Sequence, residues 1–310
     1  MLETVDLTKQ FKKHLAVDRV SIHLLEGESV GLLGPNGAGK STLISLISSL
    51  TKPTSGTVRL FGKSIQDNLS ELRKVLGVVP QDIALYEELS AYENLQFFGR
   101  IYKLKGRELE ERIAHNLGIM GLDDRKNDLI STYSGGMKRR INIAAALLHN
   151  PKILIMDEPT VGIDPQSRNH ILESVRMLNR EKGISVLYTS HYMEEVEQLC
   201  DRLYIMDHGK IVASGTKEEL KAILSGDDTL ILEMDRPNSA FAAELREMTN
   251  VRQVVETEKG LKLIVPKQSR LLHDILHTAE SHQVDVVHFH VQNPTLEDVF
   301  LHLTGRKLRD

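Results

Sequence analysis

The sequence predicts an α/β domain with a mostly parallel sheet, followed by a smaller α+β domain. Short, continuous apolar runs alternate with helical patterns early in the chain, which is typical of strands buried on both faces. Strand patterns vanish after Asp82, which indicates a helical insertion, and after Gly226 the order changes to βαββαβ. Because 310 residues exceed the usual single core, we assign residues 1–226 to the first domain, with a helical part at about 82–150, and residues 227–310 to the second.

The first domain is predicted to begin with a small sheet that leads into a buried strand. The sheet strands are expected at 2–7 and 20–24, and the buried strand at Ser29–Leu33. A glycine-rich turn follows, and apolar residues then recur at helical spacing. Further buried strands are predicted at 75–79, 153–156, 185–188 and 203–206. The helical insertion is expected to start at Ser90, which has Glu93 at the spacing of a capping box.

The second domain is predicted to be ferredoxin-like because its elements follow the βαββαβ order. A last helix is expected to begin at Thr295, just after Pro294. The predicted elements are a strand at 229–234, a helix at 239–248, strands at 251–257 and 261–265, a helix at 269–282 and a strand at 284–291.

The composition indicates a globular protein of a reducing compartment. With 41% hydrophobic and 26% charged residues, the chain does not resemble a disordered protein, and a net charge of -4 argues against nucleic acid as a partner. The single cysteine, Cys200, excludes an internal disulfide framework. No apolar stretch approaches the roughly 20 residues of a membrane span, and the N-terminus lacks a signal-peptide core. We therefore expect a cytoplasmic protein that reaches a membrane only through a partner.

One glycine-rich segment predicts a nucleotide site. It matches the pattern GxxxxGK[ST] between a predicted strand and a predicted helix, the context that a phosphate loop requires. Backbone N–H groups and the positive end of the helix would face phosphate oxygens, Lys40 would contact the β- and γ-phosphates, and Ser41 would hold Mg²⁺. The alternative is a simple glycine turn before a helix. The segment, which we call the phosphate loop, comprises Gly34, Pro35, Asn36, Gly37, Ala38, Gly39, Lys40 and Ser41, with Thr42 next to it.

Two carboxylates follow the predicted strand at 153–156. Asp157 is the candidate Mg²⁺ partner, as expected for the second motif of a nucleotide hydrolase. Glu158 is the candidate general base that accepts a proton from the attacking water. Acidic residues after a strand are also common on surfaces, but the phosphate loop upstream favours the catalytic interpretation.

Four further short segments of the sequence match motifs of a known protein family. Together with the two motifs above, they resemble an ATP-binding cassette (ABC) ATPase over residues 1 to about 220. The resemblance implies that Phe11 stacks on adenine, that Gln81 meets Mg²⁺ and the attacking water, and that His191 contacts the γ-phosphate. The four segments are Gln81 after a buried strand, the run Tyr133, Ser134, Gly135, Gly136 and Met137, the run Val161, Gly162, Ile163 and Asp164, and His191 after Thr189 and Ser190.

The resemblance also implies a site shared between two copies of the chain. Ser134 can cap the helix that follows it, and the first amides of a helix bind anions. By resemblance, Ser134, Gly135 and Gly136 face the nucleotide of a second copy, and Asp164 lies at the same interface. Taken singly, each of these residues has an ordinary structural alternative, such as a plain helix cap.

Three stretches of the sequence are similar to the drug-resistance branch of bacterial ABC exporters, of the daunorubicin and linearmycin types. They are YSGGMKRR, EPTVGIDP and NPTLEDVFLHLTGRKLRD. In that branch the ATPase is a separate chain that pairs with ABC-2 type permease subunits on the inner face of the cell membrane. Tyr133, Met137 and Val161 depart from the commonest family motifs, which have Leu, Gln and Ser there.

Other functions stay open at this point. The chain could be a soluble ABC-class ATPase without a permease, an exporter subunit for lipid, polysaccharide or ions, or a protein that binds ATP without hydrolysing it. The histidine pairs 273/277 and 288/290 could suggest a metal, but they lack the ligand set of a closed zinc site, so we interpret them as solvated or packed. The basic run 138–140 is expected to face a nucleotide or partner rather than nucleic acid.

Overall fold

The computed structural model describes residues 1–224, 226–257, 259–267, 269 and 271–305. The strands are β1 Leu2–Phe11, β2 His14–Val20, β3 His23–Leu24, β4 Ser29–Leu33, β5 Ser55–Leu60, β6 Lys63–Ser64, β7 Leu76–Val79, β8 Ile153–Met156, β9 Ser185–Ser190, β10 Arg202–Asp207, β11 Lys210–Thr216, β12 Asp227–Met234, β13 Gln253–Thr257, β14 Gly260–Pro266 and β15 Val286–Gln292. The helices are α1 Lys40–Ile47, α2 Leu69–Val75, α3 Ala91–Ile101, α4 Gly106–Met120, α5 Gly135–Leu147, α6 Pro165–Arg180, α7 Met193–Leu199, α8 Lys217–Ala222, α9 Ser239–Glu247, α10 Leu272–Ser281 and α11 Leu296–Thr304.

The chain divides into two compact units, residues 1–214 and a second unit that begins at Gly215. The boundary therefore lies earlier than the predicted one after residue 226. The reason is α8, which Thr216 caps through a capping box with Glu219 and which packs against α11 of the second unit. Within the described residues, no helix is both long enough and apolar enough to cross a membrane.

The main sheet of the first unit is built from parallel strands, as predicted. Its order is β11-β10-β4-β9-β8-β7, and the pairs β10/β4, β4/β9, β9/β8 and β8/β7 are parallel. Every residue of β4, β8 and β9 is buried, which explains why these segments appear in the sequence as continuous apolar runs. Because parallel strands end at one edge, the residues after β4, β8 and β9 meet there.

A second sheet of the first unit has the order β2-β1-β5-β6, and β3 pairs with β1. The predicted strand at 20–24 is wrong: the strand is β2, and only the short β3 lies near that position. The β1–β2 pairing contains register shifts between Leu7 and Gln10, which explains why the sequence shows no clean alternation. At the tip of this hairpin, Phe11 pairs with His14.

The helical insertion contains α3, α4 and α5, which pack on one another. The predicted capping box is confirmed, because the Ser90 hydroxyl accepts from the Glu93 N–H and the Glu93 carboxylate accepts from the Ser90 N–H. α5 is almost entirely buried, and it also contacts β7. The insertion is thus fixed on the end of the parallel sheet next to the residues that follow β7.

The second unit has the predicted βαββαβ order, and its antiparallel sheet follows the strand order β13-β14-β12-β15. Its apolar core includes Leu232 of β12, Phe241 of α9, Leu263 of β14 and Ile275 of α10. The helix predicted from residue 269 begins at Leu272, although Arg270 lies outside the described residues. The last helix begins at Leu296, one residue after the predicted start, because Thr295 is its N-terminal cap.

Candidate nucleotide site

The phosphate loop has the predicted strand, turn and helix setting between β4 and α1. Gly37 and Gly39 have φ values of 79° and 107°, in the region that favours glycine. A Cβ on Gly39 would lie 2.3 Å from the Ala16 carbonyl oxygen, so β2 leaves no room for a side chain there. The glycines therefore allow the loop both its shape and its contact with β2.

Lys40, the first residue of α1, turns its ammonium group back over the loop. Its Nζ donates to the carbonyl oxygens of Gly34 at 2.7 Å and Pro35 at 3.3 Å, and the residue is only 5% exposed. The same Nζ lies 3.2 Å from Oε1 of Glu158. A buried cation thus stands at the centre of the loop, paired with the carboxylate that follows β8.

Glu158 connects the phosphate loop with the residue after β9. Its Oε2 lies 3.4 Å from Nδ1 of His191, while its Oε1 faces Lys40. The backbone of Glu158 has a φ of 46°, which is unusual for a residue with a side chain and occurs often at functional sites. The structure therefore brings together Lys40, Glu158 and His191, three residues that were predicted from separate motifs.

Thr189, near the end of β9, forms hydrogen bonds with both residues that follow β8. Its hydroxyl donates to Oδ1 of Asp157 at 2.9 Å and accepts from the backbone N–H of Glu158 at 2.8 Å. Thr189 and Asp157 are both buried. Thr189 was not among the predicted site residues, although its position directly before Ser190 and His191 is a signal that could have indicated a role.

A second group of buried polar residues is centred on Glu195, four residues after His191, and it was not predicted. Oε2 of Glu195 accepts from the hydroxyls of Thr160, Tyr188 and Ser190 at 2.8, 2.9 and 2.8 Å. The pKa of Tyr188 is raised well above its usual value, first by burial and then by the charge of Glu195. The Ser190 hydroxyl also accepts from the Tyr192 N–H at 2.8 Å. The residues before and after His191 are therefore hydrogen-bonded to each other.

A cavity of about 340 Å³ opens over the phosphate loop. It brings together most of the residues predicted to bind nucleotide, and it adds His14 and Ala16, which the sequence analysis missed because β2 was misplaced. Four other residues predicted to act at the chain's own nucleotide do not line the cavity. Gly34 and Pro35 accept hydrogen bonds from Lys40, and His191 lies beside Glu158. Asp157 accepts a hydrogen bond from Thr189. The lining residues are Phe11, His14, Ala16, Asn36, Gly37, Ala38, Gly39, Lys40, Ser41, Thr42, Gln81 and Glu158.

The cavity fits a nucleotide and an oxygen-liganded cation. Loop amides at the start of α1 and the buried ammonium of Lys40 suit phosphate, and the exposed ring of Phe11 suits a base. Ser41 and Gln81 line the same cavity and offer a hydroxyl and an amide oxygen. With phosphate oxygens and one carboxylate, such donors match the preference of Mg²⁺ for few protein ligands.

The turn formed by residues 134–136, which we call the signature turn, is not brought to this cavity. Ser134 caps α5 as predicted, its hydroxyl accepting from the Met137 N–H at 3.3 Å. A Cβ on Gly136 would lie 2.2 Å from Oγ of Ser167 and 3.3 Å from Oδ2 of Asp164, so the turn packs on the start of α6. Gly135 has open space around it.

Asp164 caps α6, and its Oδ1 accepts from the Ser167 N–H at 2.9 Å. This hydrogen bond holds the pKa of the Asp164 carboxyl below its usual value. Gly136 packs on the same two side chains, so Asp164 and the signature turn form one surface of the first unit. Tyr133, the departure at the head of the motif, is buried and donates from its hydroxyl to the Arg125 carbonyl at 2.6 Å.

The basic run after the signature turn is engaged within the chain. Lys138 pairs with Glu87, Arg139 donates to the carbonyl oxygens of Pro80 and Gln81, and Arg140 donates to the Met120 carbonyl at 2.8 Å. These contacts differ from the expectation that the run faces a nucleotide or partner. The side chains reach back across the helical insertion because α5 is buried on several sides.

The histidines of the second unit are dispersed. The rings of His288 and His290 lie 6.1 Å apart on β15, and His282 contacts Glu244 at 2.6 Å. Among the residues that the structure describes, no cluster of three or more His, Cys, Asp or Glu side chains is suited to a metal ion.

Both units of the chain match families of known proteins. Residues 17–161 match the family described as ABC transporter, and residues 215–304 match the C-terminal domain of DrrA1-3-like ATP-binding proteins. The chain is 48% identical to the linearmycin resistance ATP-binding protein LnrL of Bacillus subtilis, and the match covers all of both chains. It is 36% identical to the daunorubicin/doxorubicin resistance ATP-binding protein DrrA of Streptomyces peucetius, over 100% of this chain and 94% of the relative.

Other relatives and solved structures agree. The Nod factor export ATP-binding protein I of Cupriavidus metallidurans is 38% identical, over 100% of this chain and 99% of the relative. A dimeric ATP-binding cassette bound to ADP and phosphate in a post-hydrolysis state has a TM-score of 0.64 and 30% identity, covering 70% of this chain and 98% of that one. A nucleotide-free cassette from an ABC transporter has a TM-score of 0.66 and 31% identity, covering 73% and 95%. The chain therefore belongs to the family of ABC transporter ATP-binding proteins: it is an ATPase cassette followed by a DrrA-type C-terminal domain.

Proposed function

We propose that this chain hydrolyses ATP to power an ABC-2 type export transporter, with separate permease subunits as partners and a drug or antibiotic as cargo. The observation that supports it best is the contact of Lys40, Glu158 and His191 beside the cavity that Phe11, Ser41 and Gln81 line. A cation, a carboxylate and an imidazole at one phosphate site are the groups that phosphoryl transfer to water needs.

In this proposal each residue of the site has a definite task. Lys40 and the loop amides bind the β- and γ-phosphates, and Phe11 stacks on the base. Ser41, Gln81 and Asp157 would hold Mg²⁺, which would offset phosphate charge. Glu158, whose Oε1 lies 3.2 Å from Nζ of Lys40, accepts a proton from the attacking water, and His191 contacts the γ-phosphate.

A second copy completes the site. The signature turn and Asp164 form one surface that is separate from the cavity-lining residues of the same chain. The Ser134 cap and the first amides of α5 would form an anion site with space beside Gly135. Two copies facing each other would bind two ATP molecules, each between one phosphate loop and the partner's signature turn. A related cassette was solved as a dimer, which supports this arrangement.

A permease would dock beside Gln81. Three large side chains in the loop that follows Gln81 and on α3 are exposed, namely Tyr86 at 47%, Phe97 at 39% and Ile101 at 59%. The rings of Tyr86 and Phe97 pack edge to face with centroids 5.0 Å apart. Exposed aromatic clusters of this kind mark protein interfaces. This contact would place the chain at the inner face of the cell membrane.

The cargo is proposed from the relatives. Two of them are named for resistance to linearmycin and to daunorubicin or doxorubicin, and a third for export of Nod factor. The greater identity to the linearmycin relative favours an antibiotic over the other cargo classes. Drug tolerance of cells that express the chain with its permease, compared with cells that express Glu158→Gln in its place, tests this choice.

The variant Glu158→Gln tests hydrolysis and the shared site together. We expect turnover to fall on the order of 10²- to 10⁴-fold because the amide cannot accept the proton. ATP binding should persist, and Mg-ATP should convert the variant to a stable dimer in light scattering. Wild-type phosphate release by the variant would contradict the role of Glu158, and a monomer at high concentration with Mg-ATP would contradict the shared site.

Co-purification tests the permease. The chain is co-expressed with a polytopic membrane protein encoded next to it, and detergent extracts are purified through a tag on the chain. Replacing Tyr86 and Phe97 by Ser should weaken recovery of the membrane protein without changing ATP binding. If the wild-type chain recovers no such protein, an ATPase that works without a permease becomes the better interpretation.

A further inference from the structure

The guanidinium of Arg139 is buried at the loop that carries Gln81. Its Nη1 donates to the Pro80 carbonyl oxygen at 2.6 Å, and its Nη2 donates to the Gln81 carbonyl oxygen. Arg139 is only 4% exposed. Two successive carbonyls are therefore held by the two arms of one planar fork, which fixes their direction as well as their distance.

Burying this charge is costly, because the group leaves water for a site where backbone oxygens are its closest partners. Burial also lowers the pKa of Arg139, and the charge of Asp82 opposes this only in part. An apolar residue could fill the same space in α5 at less cost. The arrangement instead uses a buried cation to hold the segment directly before the Gln81 side chain.

Arg139 lies on the same helix as the signature turn. α5 begins with the Ser134 cap, packs Gly136 on Ser167, and carries Arg139 little more than one turn later. A helix transmits displacement of one end to the other because its backbone hydrogen bonds keep it stiff. The signature turn and the loop at Gln81 are thus joined through one rigid element.

We propose that Arg139 is a positioning residue that couples the signature turn to Gln81. When the signature turn engages the partner's nucleotide, α5 and Arg139 set the position of Gln81 at the chain's own nucleotide. This inference rests on the proposed function, since it uses the shared site and the role of Gln81. It adds a link between the two nucleotides that passes through one named side chain.

A second contact joins the same elements, because Lys138 pairs with Glu87 farther along the loop. That pair is partly exposed, with Glu87 at 56%, and exposed pairs contribute little. Arg140 provides a matched control. It lies on the same helix, is also partly desolvated, and donates to the Met120 carbonyl at the end of α4 rather than to the loop at Gln81.

A double-mutant cycle on the full chain tests the coupling. Arg139→Lys keeps the charge but loses the fork, and Arg139→Gln serves as a second variant if the lysine destabilises the fold. We expect kcat for ATP to fall about tenfold in the wild-type background and less than about twofold in the Gln81→Ala background, with ATP binding retained. Arg140→Lys should change kcat by the same factor in both backgrounds. Equal factors for Arg139→Lys in both backgrounds would overturn the inference.

Amide hydrogen exchange reports on the loop without using activity. In the chain without added nucleotide, Arg139→Lys should raise exchange over residues 81–83 relative to wild type, whereas Arg140→Lys should not. Unchanged exchange there would refute the positioning role of Arg139, whatever the kinetics show. If Gln81→Ala alone hydrolyses ATP at the wild-type rate, the role of Gln81 in the proposed function fails and the coupling fails with it. Hydrolysis at Glu158 is tested independently by Glu158→Gln.

Discussion

Replacing Gly136 by Ala should destabilise the first unit, whereas the same change at its neighbour Gly135 should not. A Cβ on Gly136 would lie 2.2 Å from Oγ and 2.3 Å from Cβ of Ser167. Because Cβ is fixed to the backbone of α6, a rotamer change of Ser167 cannot relieve the overlap. The new methyl would also lie 3.3 Å from Oδ2 of Asp164, the residue that caps α6.

The magnitude follows from two opposing effects. Overpacking of a tight contact typically costs about 1–3 kcal/mol. Alanine is favoured over glycine in a helix by roughly 1 kcal/mol, and less in the first turn, where both glycines lie. We therefore expect Gly136→Ala to lower the free energy of unfolding by about 1–2 kcal/mol. Gly135→Ala, with open space around it, should leave that energy unchanged or raise it by less than about 1 kcal/mol.

Urea denaturation of the two variants and of wild type measures the difference. Ser167→Gly removes both clashing atoms, so the penalty of Gly136→Ala should largely disappear when it is measured against Ser167→Gly as the reference. The refuting result is equal stability of Gly135→Ala and Gly136→Ala. If both variants also lose hydrolysis while only Gly136→Ala loses stability, the role of the turn at the partner's nucleotide is separated from its role in packing.

Three further predictions concern buried polar groups. Thr189→Val removes the acceptor of the Glu158 N–H and should lower the free energy of unfolding by about 1–3 kcal/mol, read from urea denaturation. Burial lowers the pKa of His149 from 6.5, so the unfolded chain binds the extra proton first and stability should fall as pH drops below about 6.5. Melting temperatures from pH 8 down to pH 5 should show a smaller decline for His149→Asn than for wild type, and equal declines would contradict the assignment. Asp298→Asn removes the negative charge of the buried carboxylate that lies 2.6 Å from the Lys262 ammonium, and hydrogen exchange in the second unit should report a loss of roughly 3–5 kcal/mol.

The elements that the sequence predicts well are those whose signal is local. β4, β8 and β9 are buried on both faces, so their apolar runs are visible without knowledge of their neighbours. The cap of α3 lies within four residues of sequence and forms as predicted. β2 was misplaced because the register shifts in its pairing with β1 break the alternation, and His14 and Ala16 of the cavity were missed for that reason.

The rest of the candidate site depends on contacts between distant segments. Arg139 was predicted to face a nucleotide or partner with the rest of its basic run, yet it binds the carbonyls of Pro80 and Gln81, nearly 60 residues earlier. Thr189 is one of many threonines until β9 is placed beside β8 and its hydroxyl reaches Asp157. Backbone carbonyls carry no sequence signal, so a side chain that binds them cannot be recognised from composition or spacing.

The phosphate loop and the candidate base are joined by one buried charge. Lys40 is buried and its ammonium is shared among two carbonyls and Glu158, so the chain satisfies its own cation. In the proposed reaction, the γ-phosphate and Glu158 would both lie against the Lys40 ammonium, so one buried cation would hold the phosphate beside the candidate base. The Thr189 hydrogen bond to the Glu158 N–H fixes the backbone of that base. The attacking water would therefore meet the phosphate and the proton acceptor at the same point of the site.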